Sequence, residues 1–347
     1  MPPWRWVGQR VDGLLGFPAF FSPRWYQLID KTVRETRADL IIARDIPLCP
    51  TAIRVARKHN IPVILDMAEN YPAMMRDIWE TGRNKPIDSL VRNPAAVARV
   101  EQWCVDRVDH ILVVVEESAD RVATLGVPHS KITVVSNTPS RDRVQERPIE
   151  RPRRHPVGTL DVVYLGIVEV VRGLLESIDA VAQLRDEGHH VRLRIIGTGR
   201  DDEFLRQHAT SRGLGADYVE FLGYIPYKDA LAIVGSADVG LIPHHKGESW
   251  DTTIPNKLFD YMSFGLPVAS SNTKPCERIL AETGAGDVFE SHNSADLARL
   301  LKKLLDPGLR RQYGDAGQEA IRSRYNWEQD CQNLFATVNR IQTSVRE

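Results

Sequence analysis

The chain has 347 residues, enough for two domains of ordinary size, and a formal net charge of −1, which gives no global pull toward nucleic acid. Its four cysteines, Cys49, Cys104, Cys276 and Cys331, are scattered without a C-x-x-C pair and read as reduced thiols of a cytosolic protein. The longest aliphatic run, 111–115, is far too short to span a bilayer, and the opening residues lack the apolar stretch of a secretory signal.

The aromatic residues Trp4, Trp6, Phe17, Phe20, Phe21 and Trp25 crowd the opening segment. They fit packing on a sheet, and tryptophan beside arginine also fits contact with a membrane surface. Apolar runs alternating with segments of helical period then predict strands over 39–43, 62–66, 110–115 and 131–135, with helices over 51–59 and 93–107. Such alternation means parallel sheets and the α/β class. Arg44 and Asp45 end the first strand and are weak ligand-site candidates, whereas His110 opens a buried strand and reads as structural. Over 141–157 proline and charge replace apolar periodicity, which marks a solvated linker. Domains are therefore expected over 1–140 and 158–328, followed by a terminal helix over 329–347.

The second half carries the chemistry. A buried strand, 160–166, ends in Gly166, and from Gly173 the residues Leu174, Leu175, Ile178, Val181 and Leu184 recur at helical spacing. Arg172 thus stands at a helix start, where the dipole favours negative charge. The placement makes sense if the guanidinium and the free backbone N–H groups face an anion such as phosphate. The next strand runs into Gly197-Thr198-Gly199, a tight turn at the sheet edge, but Asp202 stands where a dinucleotide fingerprint needs its third glycine. His244 and His245 follow the strand over 238–242, where a histidine can bond a sugar or phosphate. Adjacent residues point in different directions and no ligand cluster accompanies them, so no metal is expected. Asp238 reads as structural. Thr253 is the expected N-cap of the next helix, Pro255 lies in its first turn and Gly265 closes it. Lys257 is then a second cation at a helix start, and the two together look like one pyrophosphate clamp. Asp260 and Tyr261 share the face of Lys257, and a carboxylate one turn away suits the hydroxyls of a ribose. Lys257 and Asp260 also fit a solvated helix pair, worth roughly a few tenths of a kcal/mol.

Taken in order, Tyr164-Leu165-Gly166, Arg172-Gly173, Ile196-Gly197-Thr198-Gly199, Phe221-Leu222-Gly223-Tyr224, the run from Ala237 to Pro243, the run from Pro255 to Met262 and Gly265-Leu266-Pro267-Val268 resemble the family-4 retaining glycosyltransferases. The resemblance covers most of the chain. It implies the GT-B architecture, two Rossmann-like domains with parallel sheets facing across a cleft. It also implies transfer of a sugar from a nucleotide diphosphate sugar to a hydroxyl of a sugar or lipid-linked acceptor, in cell-surface polysaccharide or glycolipid synthesis. No cofactor beyond the donor substrate is implied. By the resemblance, Asp260 takes the place of the second acid of a Glu-x7-Glu motif and holds the ribose. Arg172 takes the place of a loop lysine on the donor diphosphate, and Lys257, in a Pro-Asn-Lys variant, faces the phosphates too. Tyr224 and Ile225 border the nucleobase, while Gly166, Gly197, His245, Thr253 and Asn256 complete the expected donor set. Arg172 and Lys257 would stabilise charge on the departing diphosphate, and no enzymatic nucleophile is required. Glu69 is the acceptor-side candidate for orienting or deprotonating the hydroxyl, and reads equally well as an idle loop carboxylate. The terminal helix is expected to cross back to the first domain.

The sequence also departs from the pattern. Thr252 stands where the first acid of Glu-x7-Glu belongs, with Glu248 or Asp251 as substitutes through the loop. Ile167 replaces a common arginine, and Ala68 occupies the place of a histidine near the reacting sugar. About two βα units are expected to be missing ahead of residue 39, leaving an exposed sheet edge. Two other readings follow: a non-catalytic GT-B remnant that binds nucleotide or a protein partner, and a nucleotide-sugar 2-epimerase. A cytosolic location is expected, with the basic linker and the tryptophans available for peripheral contact at the inner membrane face.

Overall fold

The computed structural model describes residues 20, 22–80, 93–144 and 158–346. Trp4, Trp6, Phe17, Phe21 and linker residues 145–157 lie outside the described residues. The chain forms two units, one comprising residues up to Ser136 plus Asp330 onward, the other Asn137–Gln329.

In the first unit the described strands are β1 (Ile41–Arg44), β2 (Val63–Met67), β3 (His110–Val113) and β4 (Ile132–Val134). They pair in that order, all parallel, with Ile41 opposite Val63, Ile64 opposite His110 and Ile111 opposite Ile132. Helices α1 (Pro23–Thr36), α2 (Asp45–His59), α3 (Tyr71–Glu80), α4 (Pro94–Val105) and α5 (Glu116–Thr124) accompany them. Side chains alternate between the faces of the strands. Leu65, Met67, Ile111 and Val113 therefore pack with Ile46, Cys49 and Ile53 of α2 and Cys104 of α4. Phe20 packs against this core. Asp30 on α1 accepts hydrogen bonds from Lys58 (2.8 Å) and His59 (2.7 Å), joining α1 to α2. Helix α2 begins six residues before its expected start and contains Pro50. The lost backbone donor is outweighed by the burial of Ile46, Cys49, Ala52, Ile53 and Val55.

The second unit holds β5 (Leu160–Leu165), β6 (Val191–Ile196), β7 (Val219–Gly223), β8 (Val239–Ile242), β9 (Val268–Ser271) and β10 (Gly286–Phe289). Its helices are α6 (Leu174–Asp186), α7 (Asp202–Ser211), α8 (Tyr227–Ser236), α9 (Lys257–Ser263), α10 (Lys274–Thr283), α11 (Ser294–Lys303) and α12 (Pro307–Ser323). The strand order is β10-β9-β8-β5-β6-β7, wholly parallel. The order reverses between β5 and β8, and ligands of such sheets bind past the carboxyl ends of the strands at that switch point. Asp238 is structural here: its backbone N–H donates to the Asp161 carbonyl and its carboxylate accepts from the Asp161 N–H.

Helix α13 (Trp327–Arg346) starts in the second unit and ends in the first. Its Leu334, Val338 and Ile341 pack on Ile64, Leu112 and Val135, covering the other face of the first sheet. Glu328 at its start accepts from the Ser140 hydroxyl at 2.7 Å. No helix among the described residues is long and apolar enough to cross a membrane.

Candidate donor site

The switch point between β5 and β8 gathers the two cations singled out by the sequence. Arg172 ends a 3-10 turn, Val170–Arg172, directly ahead of α6, and Lys257 is the first residue of α9. They meet at His244, just past β8: Arg172 Nη1 lies 3.3 Å and Lys257 Nζ 3.5 Å from its Nε2. His244 is 1 % exposed. Its ring stacks on Trp250 at 4.0 Å and 3°, and the Arg172 guanidinium lies 4.6 Å from the same indole. The Lys257 ammonium sits 4.2 Å over the buried Tyr164 ring.

Glycines make room for this cluster. A Cβ on Gly166 would come within 2.9 Å of Lys257 Nζ, and one on Gly197 within 1.8 Å of the Gly166 carbonyl oxygen. Gly173 has a left-handed φ of 71°, and a Cβ there would lie 1.7 Å from the Pro243 carbonyl oxygen, so α6 starts hard against the end of β8.

The electrostatics are one-sided. Burial, then the Lys257 and Arg172 charges, push the His244 pKa well below the usual histidine range, so His244 is neutral. Burial and the neighbouring guanidinium likewise push Lys257 well below the usual lysine range. Arg172 Nε and His244 Nδ1 are buried without a hydrogen-bond partner among the described residues. Buried donors and cations left in this state fit an anionic ligand.

Asp260, 7 % exposed, accepts a hydrogen bond from the Tyr227 hydroxyl at 2.9 Å. Tyr261 points away from a ligand position: it is buried, and its hydroxyl accepts from the Leu165 N–H at 3.1 Å. Tyr224, past β7, is 77 % exposed, with Ile225 half-buried beside it. Asn256 is exposed, and Thr253 is buried in extended backbone.

Three expectations need correcting. The residue before α9 is Asn256, so Thr253 is not its N-cap and Pro255 precedes the helix. Tight bonds from Leu258 N–H to the Pro255 carbonyl and from Phe259 N–H to the Asn256 carbonyl make the entry turn instead. His245 does not join the cations; it turns to Glu176 on α6, with Nε2 3.1 Å from a carboxylate oxygen, and the histidine at the cations is His244. A ligand cluster also accompanies the histidine pair, because His292 lies 3.5 Å from the same carboxylate. The residues sequence reasoning missed are Trp250, Tyr227, Glu176 and His292. Only Trp250 carried a signal, a lone indole in a polar loop.

In the first unit, Glu69 is exposed just past β2. Arg44 Nη1 donates to Asp66 at 2.6 Å, and Asp45 accepts from the Ala68 N–H at 2.9 Å, fixing the loop that carries Glu69. His110 is buried with Nε2 2.8 Å from Thr133 Oγ1, consistent with a structural role.

The sequence pattern of the glycosyl transferases group 1 matches residues 146–320. This chain belongs to that family. A glycosyl transferase 4-like domain matches residues 2–138. Among its relatives, the phosphatidyl-myo-inositol mannosyltransferase of Mycobacterium leprae is 32% identical over 185 residues, which is 53% of this chain and 47% of the relative. A glycogen synthase of Mycobacterium tuberculosis is 24% identical over 303 residues, 86% of this chain and 67% of the relative. The match to the mannosyltransferase thus spans about half of that relative's length. Among solved structures, Anabaena HepE in complex with UDP superposes with a TM-score of 0.71 at 16% identity, covering 90% of this chain and 81% of HepE. That likeness shows the fold, which is GT-B with two parallel α/β sheets.

Proposed function

We propose that the chain is a retaining glycosyltransferase that moves a sugar from a nucleotide diphosphate sugar to a hydroxyl acceptor in glycan synthesis. The observation that carries this reading is the meeting of Arg172 and Lys257 at His244, with no carboxylate of the described residues ion-paired to either cation. A diphosphate supplies the missing negative charge and accepts from Arg172 Nε. Asp260 would hold the ribose hydroxyls, with Tyr224 and Ile225 bordering the base.

In the transfer step charge grows on the departing diphosphate, and cations fixed in a partly dry site stabilise it without reorganising. Trp250, stacked against both His244 and Arg172, holds the guanidinium in place. Glu69 is assigned to the acceptor hydroxyl. Same-face attack, with the leaving phosphate taking the acceptor proton, would retain the anomeric configuration without a nucleophile from the protein. The mannosyltransferase relative, named for a phosphatidylinositol acceptor, supports a sugar or lipid-linked acceptor and peripheral membrane contact. HepE, crystallised with UDP, makes UDP the first nucleotide to test.

Calorimetry of UDP and GDP against their nucleosides tests the reading. Lys257→Ala and Arg172→Ala should each weaken diphosphate binding about 10- to 100-fold, the worth of one charged hydrogen bond, and leave nucleoside binding nearly unchanged. Equal losses for nucleoside and diphosphate would remove the phosphate assignment.

A further inference from the structure

Beyond the donor cluster, the carboxyl edge of the second sheet carries another group of chemistry-bearing side chains. Glu176 lies in the first turn of α6, His245 follows β8 and His292 follows β10. His245 Nε2 is 3.1 and 3.2 Å from the two oxygens of Glu176, and His292 Nδ1 is 3.5 Å from Glu176 Oε1. The imidazole rings are 3.7 Å apart at 35°, and one ligand atom from each residue lies within 4.8 Å of the others.

These separations fit a metal ion. Zinc bonds of about 2.0–2.1 Å in a tetrahedron place neighbouring ligand atoms about 3.3 Å apart. Two imidazoles and one carboxylate are also a donor set that suits zinc and leaves a fourth position open. The backbone supports the arrangement. His292 adopts a left-handed φ of 63°, uncommon for a residue with a side chain, and this conformation brings its ring to Glu176. The residue before it is fixed twice: the Lys246 N–H donates to Ser291 Oγ at 2.8 Å, and the Ser291 N–H donates to Asn272 Oδ1 at 3.1 Å. Glu176 and His245 are part-buried, while His292 is the exposed member through which an ion would enter.

We propose that Glu176, His245 and His292 form a zinc site that ties the start of α6 to the loops after β8 and β10. The group is distinct from the donor cluster, since His244 turns to Arg172 and Lys257 while His245 turns to Glu176. Bound zinc would replace the proton on the histidine nitrogens that face the carboxylate, and two imidazoles plus one carboxylate would hold it.

The test uses the whole chain, treated with chelator, dialysed and given zinc chloride without nucleotide. Elemental analysis should find one zinc per chain, with a rise in Tm. Cobalt substituted for zinc should give the intense visible bands of a four-coordinate ion. Glu176→Gln, His245→Gln and His292→Asn should each abolish the uptake and the Tm rise. Asparagine tolerates left-handed backbone, so His292→Asn removes the ligand while keeping the loop. Circular dichroism and UDP calorimetry on the zinc-free proteins establish that the variants are folded and report the donor site separately. No uptake by the wild type, or uptake unchanged in His292→Asn, would overturn the zinc site whatever the fate of UDP binding. Those results would leave a histidine–carboxylate hydrogen-bonded cluster only.

Discussion

Lys257 sets binding against stability. Its ammonium is enclosed beside Tyr164 and Arg172, no carboxylate among the described residues forms an ion pair with it, and burial and then the Arg172 charge push its pKa down against a weaker pull from Asp260. A part-buried charge without an opposite partner costs folding free energy that a hydrophobic side chain of similar volume would not. Lys257→Met should therefore raise the stability of the second unit by about 1 kcal/mol or more while abolishing tight UDP binding. Urea unfolding beside UDP calorimetry reads both effects, and loss of both stability and binding would mean that the lysine is needed for the fold. Asp260→Asn should behave differently. The fold persists, because the Tyr227 hydroxyl still finds an oxygen to donate to. Ribonucleotide binding falls by about 1.5–3 kcal/mol, the worth of a charged hydrogen bond. Binding of the 2′,3′-dideoxynucleotide should not change with the substitution. Wild type binding both nucleotides alike would show that Asp260 touches no ribose.

At the scale of elements, α6 is positioned by one glycine. Gly173→Ala meets two obstacles, a φ of 71° and a Cβ only 1.7 Å from the Pro243 carbonyl oxygen, which is backbone and cannot swing aside. Gly188 has a similar φ of 83° but open space around its Cβ position. Gly188→Ala should thus cost about 1–2 kcal/mol, the left-handed penalty alone. Gly173→Ala should cost at least about 4 kcal/mol and displace Arg172. Comparable costs in denaturant unfolding would mean that α6 can slide away from β8. The same elements show what the sequence made legible. Strands 62–66 and 110–115 were readable because buried parallel strands are short aliphatic runs rich in β-branched residues, and 39–43 was readable as such a run although only Ala43 of β1 is buried; each lies within a residue or two of its place. Arg172 and Lys257 were readable because a cation at a helix start runs against the dipole. The start of α2 was not, because Pro50 looks like a boundary locally and only tertiary burial overrides it. His244 could not be told from His245, because which of two neighbours faces the cations depends on how the chain leaves β8. Glu176, His245 and His292 are far apart in sequence, and only the parallel strand order brings α6, β8 and β10 to one edge.

At the scale of the whole molecule, the two units have separate cores and should respond separately to pH. His110 lies in the first, buried against Thr133 of β4 and near Arg340 of α13. Burial, and then the Arg340 and Lys131 charges, lower its pKa from 6.5 to about 4. In the unfolded chain the imidazole takes a proton near 6.5, and in the folded chain only near 4. Between these values the unfolded state binds more protons, so folding is favoured as pH rises and disfavoured as it falls. The term is absent above the window and fully unfavourable below it. Asp30, held down to about 2 by hydrogen bonds from Lys58 and His59, loses its stabilising share only below 3.8 and so acts under the window. Asp45, raised from 3.8 by burial, works with the opposite sign at the foot of the window. The difference between wild type and His110→Gln isolates the histidine. Amide protection in β2, β3 and β4 of the wild type should fall from pH 6.5 toward 4 by more than in His110→Gln, with β5, β6 and β8 of the second unit showing no such difference. Parallel pH profiles for the two proteins in the first sheet would mean that His110 accepts its proton without opening the contact with Thr133 and Arg340.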